Sequence, residues 1–479
     1  MRVLFIAKMI QDRVLTPYGL YSLSASCREA GHETGIVDAV SLGRIRKSIR
    51  SFKPDVLAFS THTARWPFFR MASRKLKKEF NLPHLFGGVH PTFRPEIVKE
   101  DHIDGVCVGE ADGALPDLLD RMESGGDYQD APNWCFSDGG AVIMNSPRPL
   151  VADLDDLPMP HFGLTDNYSY SRGCPVRILL TARGCMFNCS YCSTGAFKNL
   201  YAGDPAGYFR RASVDRSISE VKYLMGKYPC EFITFFNDHF TGDGDWTLEF
   251  TEKYRRAGGP PFACQMVVRQ VRRDEVKALA AAGLKWVGLS LESADPEFRS
   301  KVLNRHYSNG EFMEAVSVLH EEGVITFVGN ILGLPESTLE KDIETLRLNR
   351  KAGVRFADAS IFTPFPGTKL GAKAVEDGLF DEDSWDDFFL SMDATFRKPL
   401  VCDVPHKKYI RRLHCLFDIA GDSAWVAANL ELLVKLPLTF LYVTAYKIHN
   451  IIKKRYYLFR EARLPLRIQM SLIIHNILH

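Results

Sequence analysis

Short apolar runs alternate with amphipathic segments through the first third of the chain. The runs include RVLFIA at 2–7, DVLAFS at 55–60 and GVCVGE at 105–110, and WPFFRMASRKLKKEF at 66–80 is one of the helical segments between them. Short strands rich in Val, Leu and Phe, separated by helices of ten or more residues, are typical of a parallel sheet with helices on both faces. The pattern predicts an α/β, doubly wound, Rossmann-like first domain.

Ligands of such a sheet bind at the carboxyl ends of its strands. Small and polar residues follow three of the predicted strands, and they are the candidate binding residues of this domain. They are Ser60, Thr61, Gly87, Gly88, His90, Thr92, Gly109 and Glu110. Ordinary turn glycines are the alternative explanation for Gly87 and Gly88.

A second series of strands and helices begins near residue 176. Six segments combine an apolar strand with a following helix or turn, which predicts a partial, parallel (β/α)6 barrel. The strands are expected in 176–185, 232–240, 261–271, 285–295, 325–337 and 355–370. Polar residues again cluster where the strands end, which is where sites lie in barrels of this kind.

Three cysteines occur within eight residues in TARGCMFNCSYCSTG, at Cys185, Cys189 and Cys192. Structural zinc and ordinary iron–sulfur clusters use four protein ligands. A [4Fe–4S] cluster held by only three thiolates leaves one iron open, and this iron can chelate S-adenosylmethionine (SAM). The alternatives are chance clustering and a zinc site completed by Cys174, which lies upstream of the predicted strand.

This C-x3-C-x2-C motif, with Tyr191 before its last cysteine, resembles the signature of the radical SAM superfamily. The resemblance implies that the chain cleaves SAM at the cluster to a 5′-deoxyadenosyl radical. It also implies that several strand ends hold SAM: polar residues after the second strand bind its amino group, those after the fourth approach its ribose and methionine, and backbone near Phe365 pairs with adenine. The residues concerned are Asn237, Asp238, Glu292, Ser293, Arg305 and Phe365.

The first domain resembles the cobalamin-binding domain of B12-dependent radical SAM enzymes. The resemblance rests on PYGLYSLSASCREAGHETGIVDA at 17–39, FGGVHPTFRPE at 86–96 and IDGVCVGEADGALPDLL at 103–119. It implies that the strand-end residues of this domain bind cobalamin, with the corrin ring lying against Gly87 and Gly88. The D-x-H-x-x-G motif of many B12 proteins is absent from the sequence. Cobalamin is therefore expected to bind without a histidine from the protein.

The combined resemblance implies methylation of an unactivated carbon, with cobalamin carrying the methyl group. Two alternatives stay open. One is a radical cyclisation, ring contraction or oxidation with the same cofactors but without methyl transfer. The other is a non-catalytic iron–sulfur sensor, which is disfavoured because a sensor would not need the SAM-holding strand ends. The expected partners are a small-molecule or lipid substrate and a flavodoxin- or ferredoxin-type electron donor.

Four regions are predicted: a cobalamin-binding domain at 1–145, a proline-rich linker at 146–172, a radical SAM domain at 173–385 and a helical region at 386–479. A net charge of +2 does not indicate nucleic-acid binding. Eleven scattered cysteines fit a reducing compartment, and neither a signal peptide nor a membrane span is predicted. A cytoplasmic enzyme is expected.

The last fifty residues join an apolar stretch to a basic one. Leu436–Tyr446 is uncharged, and seven basic residues against one acidic residue follow over 447–467. Two arrangements are consistent with this pattern. A helical lid would pack its apolar face on the barrel and turn its lysines to water. An interfacial helix would instead rest on anionic lipid, which would make the enzyme peripheral at the membrane.

Overall fold

The computed structural model describes residues 1–9, 17–385 and 402–462, with side chains as far as residue 453. The chain forms two compact units. The first comprises Met1–Arg172, Ala196–Arg210 and Asp383–Leu390, and the second comprises Gly173–Gly195, Arg211–Glu382 and Ser391–His479. The four-part division drawn from the sequence stays a prediction.

The first unit is built on a seven-stranded sheet in the order β2-β1-β3-β4-β5-β6-β7. Its strands are β1 Arg2–Ala7, β2 Glu33–Asp38, β3 Val56–Ser60, β4 His84–Gly87, β5 Gly105–Cys107, β6 Trp134–Asp138 and β7 Ala141–Met144. The first five are parallel, and the last two form an antiparallel hairpin on the edge. The chain order reverses between β1 and β3, which is the switch point where ligands of such sheets bind.

Helices cover both faces of this sheet, as the alternating pattern predicts. They are α1 Tyr18–Glu29, α2 Leu42–Phe52, α3 Trp66–Glu79, α4 Val89–Phe93 and α5 Ala114–Glu123, followed by α6 Ser169–Arg172 and α7 Ser193–Leu200. The strands bury nearly every side chain because helices lie on either side; Val3, Phe5 and Ile6 are at most 1% exposed.

The second unit contains a six-stranded parallel sheet in the order β15-β14-β13-β12-β11-β8. Its strands are β8 Val176–Leu179, β11 Phe232–Phe235, β12 Phe262–Gln265, β13 Leu284–Glu292, β14 Ile325–Leu332 and β15 Phe356–Ile361, and the short strands β9 Ala182–Arg183 and β10 Arg210–Arg211 lie between β8 and β11 in sequence. The predicted six-strand parallel architecture is confirmed.

The helices that follow these strands lie on one face of the curved sheet. They are α8 Val214–Lys227, α9 Gly244–Arg256, α10 Arg273–Ala281, α11 Pro296–Lys301, α12 Asn309–Glu321, α13 Leu339–Lys351 and α14 Lys369–Glu376. Burial along β14 alternates: Thr326 and Val328 are buried beneath helices, whereas Phe327 is 46% exposed on the interior side. A period of two is expected where only one face of a strand is covered.

A helical region completes the second unit. It consists of α15 Lys407–Asp422, α16 Ala424–Ala428, α17 Leu430–Leu433 and α18 Thr439–Ala462. Helix α15 packs on the edge strand β15, and α18 packs on α15. Within the described residues, no helix combines the length and apolar character that a bilayer span requires.

Candidate active site

The three-cysteine loop of the second unit runs from the end of β9 to the start of α7. Cys185, Cys189 and Cys192 are all free, partly exposed thiols on this one loop. Ser190 fastens the loop, because its N–H donates to the Leu303 carbonyl at 3.2 Å and its Oγ donates to the Val302 carbonyl at 2.5 Å. A short, pinned loop bearing three accessible thiols fits a metal cluster.

Cys174 does not join this group. It lies ahead of β8, it is 3% exposed, and burial raises the pKa of its thiol. Burial also raises the pKa of Cys185, to about 12. A thiolate at Cys185 therefore needs positive charge nearby, and iron supplies such charge when it binds. Three partly exposed thiols on one loop, and a buried Cys174 outside it, fit a cluster with three protein ligands.

A buried hydrogen-bond network lies beside Cys189. Arg305 Nη1 is 4.0 Å from Cys189 Sγ and donates to Tyr191 Oη at 2.9 Å. The Tyr191 hydroxyl in turn donates to Glu292 Oε1 at 2.7 Å, and Arg305 Nη1 lies 3.7 Å from the same oxygen. Arg305 Nη2 also donates to the Ser290 carbonyl at 2.9 Å. Four predicted site residues are thus brought together at the carboxyl end of β13.

Glu292 is the last residue of β13, and it adopts a left-handed backbone with φ of 65°. A non-glycine residue rarely adopts this conformation, and such strain is common at functional sites. Burial raises the pKa of Glu292, while the Arg305 guanidinium and the Tyr191 hydroxyl oppose that rise. The network holds a carboxyl group in place where the strand ends.

The two predicted site residues after β11, Asn237 and Asp238, differ in exposure and in hydrogen bonding. Asn237 is 1% exposed, and its side chain both accepts from Thr181 N at 2.9 Å and donates to Thr181 Oγ1 at 2.7 Å. The Asp238 carboxylate is exposed and accepts from Thr194 Oγ1 at 3.3 Å. Asn237 therefore ties two strand ends together, and contact of the exposed Asp238 with the amino group of SAM stays a prediction.

Two other predicted SAM-binding residues have structural partners. Ser293 is 5% exposed; its carbonyl accepts from Arg299 Nη1 at 2.6 Å, and its Oγ accepts from Asp295 N at 3.3 Å. The Phe365 carbonyl accepts from Thr368 Oγ1 at 2.8 Å. These contacts organise the turns after β13 and β15.

In the first unit, a small apolar cleft of about 80 Å³ lies where β3 and β4 end. Ser60, Gly87 and Gly88 line it together with apolar side chains such as Leu85 and Phe59. Ligands of such sheets bind at the carboxyl ends of the strands, where this cleft lies. A Cβ at Gly87 would meet only Cys107 Cβ, at 3.8 Å, so Gly87 keeps the cleft open.

The structure gives Gly88 a second reason to be glycine, and the expected contact with the corrin ring stays a prediction. Its φ is 107°, and a Cβ at this position would collide with the carbonyl oxygen of Thr61. Contact between neighbouring strand ends therefore requires glycine here whether or not a corrin ring is present. Gly109 is similar, because its φ is 87° and a Cβ would collide with the hydroxyl of Tyr201.

The remaining predicted cobalamin-binding residues are held by protein partners. His90 is 2% exposed and stacks on Trp66 at 5.0 Å, and burial lowers its pKa to about 3. The Glu110 carboxylate forms an ion pair with Arg210. Thr92 Oγ1 accepts from Gly109 N at 3.2 Å. None of these three residues lines the cleft.

Sequence reasoning did not single out Thr181, Thr194, Tyr201 or Arg210. Thr181 and Thr194 lie on either side of the cysteine motif in the sequence, and this proximity could have identified them as candidate site residues. The Tyr201 hydroxyl accepts a hydrogen bond from Glu110 N at 2.8 Å, and Arg210 forms an ion pair with the Glu110 carboxylate. Tyr201 and Arg210 are about a hundred residues from Glu110 in the sequence, and no local motif indicates contacts over that distance.

Two family models match the chain. The model of the radical SAM superfamily matches residues 179–348, and that of the B12 binding domain matches residues 12–119; together they cover more than half of the 479 residues. The chain is a B12-binding radical SAM protein. Its predicted fold class is confirmed, as is its predicted set of cofactors: a [4Fe–4S] cluster, SAM and cobalamin.

This B12-binding radical SAM protein is similar to several curated proteins. It is 28% identical to an uncharacterised methyltransferase of Pyrococcus horikoshii over 77% of this chain and 80% of that one. It is 28% identical to the anaerobic magnesium-protoporphyrin IX monomethyl ester cyclase of Cereibacter sphaeroides over 70% of this chain and 55% of that one. It is 26% identical to the hopanoid C-3 methylase of Methylococcus capsulatus over 74% of this chain and 68% of that one.

Two solved structures share its fold. The radical SAM methyltransferase TsrM of Kitasatospora setae, with cobalamin and a [4Fe–4S] cluster bound, has a TM-score of 0.65 at 16% identity and covers 78% of each chain. The cobalamin-dependent SAM radical enzyme OxsB with aqua-cobalamin bound has a TM-score of 0.65 at 15% identity. The match covers 96% of this chain and 71% of the OxsB chain.

Proposed function

We propose that this protein is a cobalamin-dependent radical SAM methyltransferase that methylates an unactivated carbon of an apolar small molecule or lipid. One observation carries the proposal: a single chain combines a three-thiol loop, which leaves one iron of a cluster without a protein ligand, with a B12-binding sheet. The methyltransferases among its relatives support methyl transfer as the outcome.

When bound, the cofactors supply one-electron cleavage of SAM and a methyl group on cobalt, which is chemistry that side chains cannot perform. The chain supplies binding and orientation. The three cysteines hold iron, and Arg305 places a positive charge beside the Cys189 sulfur. Tyr191 and Glu292 keep that arginine in position through the hydrogen bonds described above.

Aromatic side chains occur on the barrel sheet, mostly near the amino ends of its strands. Phe327 and Phe356 stack at 6.0 Å, Phe236 is 49% exposed at the end of β11, and Trp286 contacts Phe232 at 5.5 Å. Of these rings, Phe236 lies at a carboxyl strand end, where it offers an apolar surface to a substrate.

A cyclase without methyl transfer is the second candidate, because a cyclase is also among the relatives. Anaerobic reconstitution with SAM, hydroxocobalamin and a ferredoxin- or flavodoxin-type donor separates the two. A methyltransferase should form S-adenosylhomocysteine, from methylation of the cobalt, as well as 5′-deoxyadenosine. Formation of 5′-deoxyadenosine alone would favour the cyclase. Formation of neither product would indicate a non-catalytic iron–sulfur sensor.

Cobalamin retention should depend on Gly87. Gly87→Leu places a side chain in the apolar cleft without a backbone collision, so we expect retained hydroxocobalamin to fall at least about tenfold while the protein still folds. The measurement is cobalamin absorbance after gel filtration. Gly19→Leu is the matched control, since a Cβ at exposed Gly19 meets no atom within 4 Å and retention should not change. Equal retention by both variants would remove the cleft from the proposed site.

The expectation that no protein histidine binds the cobalt stays a prediction.

A further inference from the structure

Helix α18 turns its apolar side to solvent. Leu441, Ile448 and Ile452 are 57%, 53% and 62% exposed. They are spaced by seven and four residues, so they form one stripe along the helix. Thr444 and Ala445, the other residues of the stripe, are uncharged.

The polar side of the same helix faces inwards. Lys453 has 8% side-chain exposure and forms ion pairs with Asp418 and with Asp422, the latter at 2.9 Å, both on α15. His449 reaches the same carboxylates through Nδ1 at 3.1 Å and Nε2 at 3.0 Å. Hydrogen bonds to Asp418 and Asp422 raise the pKa of His449 to about 9, so both ring nitrogens donate.

This ion-pair cluster fixes the rotation of α18 about its axis. Rotating the helix to bury Leu441 and Ile448 would carry Lys453 away from two carboxylates and leave Asp418 buried without its counter-charge, which is strongly unfavourable. Two carboxylates and a histidine also resemble a metal site, but the Lys453 ammonium group and the protonated His449 already neutralise the two carboxylates. The orientation is thus opposite to that of a lid helix with its apolar face on the barrel.

Exposed apolar side chains are concentrated around this helix. Of the eighteen large apolar side chains exposed in the described structure, eight lie in residues 425–452. Besides the stripe they are Trp425, Leu432, Leu436, Leu438 and Phe440, and Phe440 is 87% exposed. Arg412 fastens this segment to α15 by donating to the Val434 carbonyl at 2.8 Å and to Thr439 Oγ1 at 3.2 Å. An apolar surface of this kind marks an interaction site.

The charge of the region indicates the chemistry of the partner. Lys435 lies among the exposed apolar residues. Besides the inward-facing Lys453, residues 447–467 contain six basic residues and one acidic residue. A second copy of the chain, or the segment 463–479 folded back, would bring further positive charge to this place. An anionic surface would be attracted to it instead.

We propose that the apolar stripe Leu441–Ile448–Ile452, together with Trp425 and Phe440, docks on the surface of an anionic lipid bilayer. The apolar side chains enter the boundary between headgroups and acyl chains, and the basic residues contact anionic headgroups. Docking is independent of the reaction; the further consequence, that the enzyme takes its substrate from the membrane, rests on the proposed function.

Vesicle flotation tests the proposal on the full chain. The wild-type protein should float with vesicles of phosphatidylcholine and phosphatidylglycerol, less with phosphatidylcholine alone, and should be released by high salt. Leu441→Gln, Ile448→Gln and Ile452→Gln together should lower the bound fraction at least about tenfold, because three exposed apolar side chains no longer enter the lipid.

The matched control changes three equally exposed apolar residues elsewhere: Val40→Gln, Met144→Gln and Leu248→Gln, which are 45%, 61% and 43% exposed. This variant should float like the wild type. Visible iron–sulfur absorbance and 5′-deoxyadenosine formation should be unchanged in both variants, which separates a failure of docking from a failure of the proposed function.

Three results would overturn the proposal. The first is wild-type protein that stays at the bottom of the gradient with all vesicles. The second is a wild-type dimer in light scattering that becomes monomeric in the stripe variant, which would assign the surface to a second copy. The third is a protein that floats only after Leu464, Ile468 and Leu472 are changed to glutamine, which would mean that the C-terminal segment covers the stripe.

Discussion

Replacing Cys185, Cys189 and Cys192 together with alanine should abolish both the visible iron–sulfur absorbance and all 5′-deoxyadenosine formation. The three thiols lie on one pinned loop, and they are the ligands that would hold the cluster. Without thiolates, iron has no soft ligand on this loop. The protein should still fold, because the three side chains are partly exposed and contribute little to the core. Anaerobic reconstitution followed by visible spectroscopy and product chromatography measures both losses.

Cys174→Ala is the control for this experiment. Cys174 is buried ahead of β8, so its replacement should lower the free energy of unfolding by about 1 kcal/mol and leave the cluster intact. Loss of the iron–sulfur absorbance in this variant would show that a fourth thiolate is required. The three-ligand assignment, and with it an iron that is open to SAM, would then be wrong.

Arg305→Met should destabilise the second unit and stop SAM cleavage. Arg305 is the counter-charge of Glu292, which is 6% exposed, and it also holds Tyr191 and the Ser290 carbonyl. Removing one partner of a buried pair leaves an uncompensated charge, which lowers the free energy of unfolding by about 3 kcal/mol. Urea unfolding under anaerobic conditions measures the loss of stability, and 5′-deoxyadenosine formation measures the loss of activity.

The same variant should show a defined pH dependence. Burial already raises the pKa of Glu292, and loss of the Arg305 charge raises it further. A carboxyl group whose pKa is higher in the folded state than in the unfolded state favours folding at low pH, and this contribution is lost as pH rises through the folded-state pKa. The deficit of Arg305→Met should therefore shrink as pH falls through the folded-state pKa towards the lower pKa of the unfolded state.

Two further variants distinguish the loss of the Arg305–Glu292 pair from the general effect of losing an arginine. Arg305→Met combined with Glu292→Gln should recover much of the stability, since no buried charge remains, but not the activity. Arg273→Met removes an arginine from an exposed pair with Glu321 and should change stability little. Equal destabilisation by Arg273→Met and Arg305→Met would contradict the argument.

The elements of the fold were predictable because local pattern specifies them. RVLFIA and the later apolar runs are buried on both sides, so their composition alone indicates parallel strands, and the structure places them in β1, β3, β4 and β5. The cysteine spacing was equally informative, since the three ligands lie on one loop and depend on no distant partner.

Residue roles at the strand ends were less predictable. Gly88 was expected to accommodate a ligand, but the sequence did not indicate that the Thr61 carbonyl also lies beside it. Asn237 and Ser293 lie where predicted, but their polar groups are engaged by Thr181 and Arg299. A sequence shows that a residue follows a strand; it does not show which other strand end or helix will lie beside it.

The sequence by itself determined the two α/β units and the three-thiol loop, because strand and helix periodicity and ligand spacing are properties of contiguous residues. Only the tertiary structure decided how α18 is oriented. Its periodicity is that of an amphipathic helix, which ordinarily buries its apolar side. Asp418 and Asp422 on α15 instead draw Lys453 and His449 inwards, and because a buried charge must keep its partner, Leu441, Ile448 and Ile452 are left facing outwards.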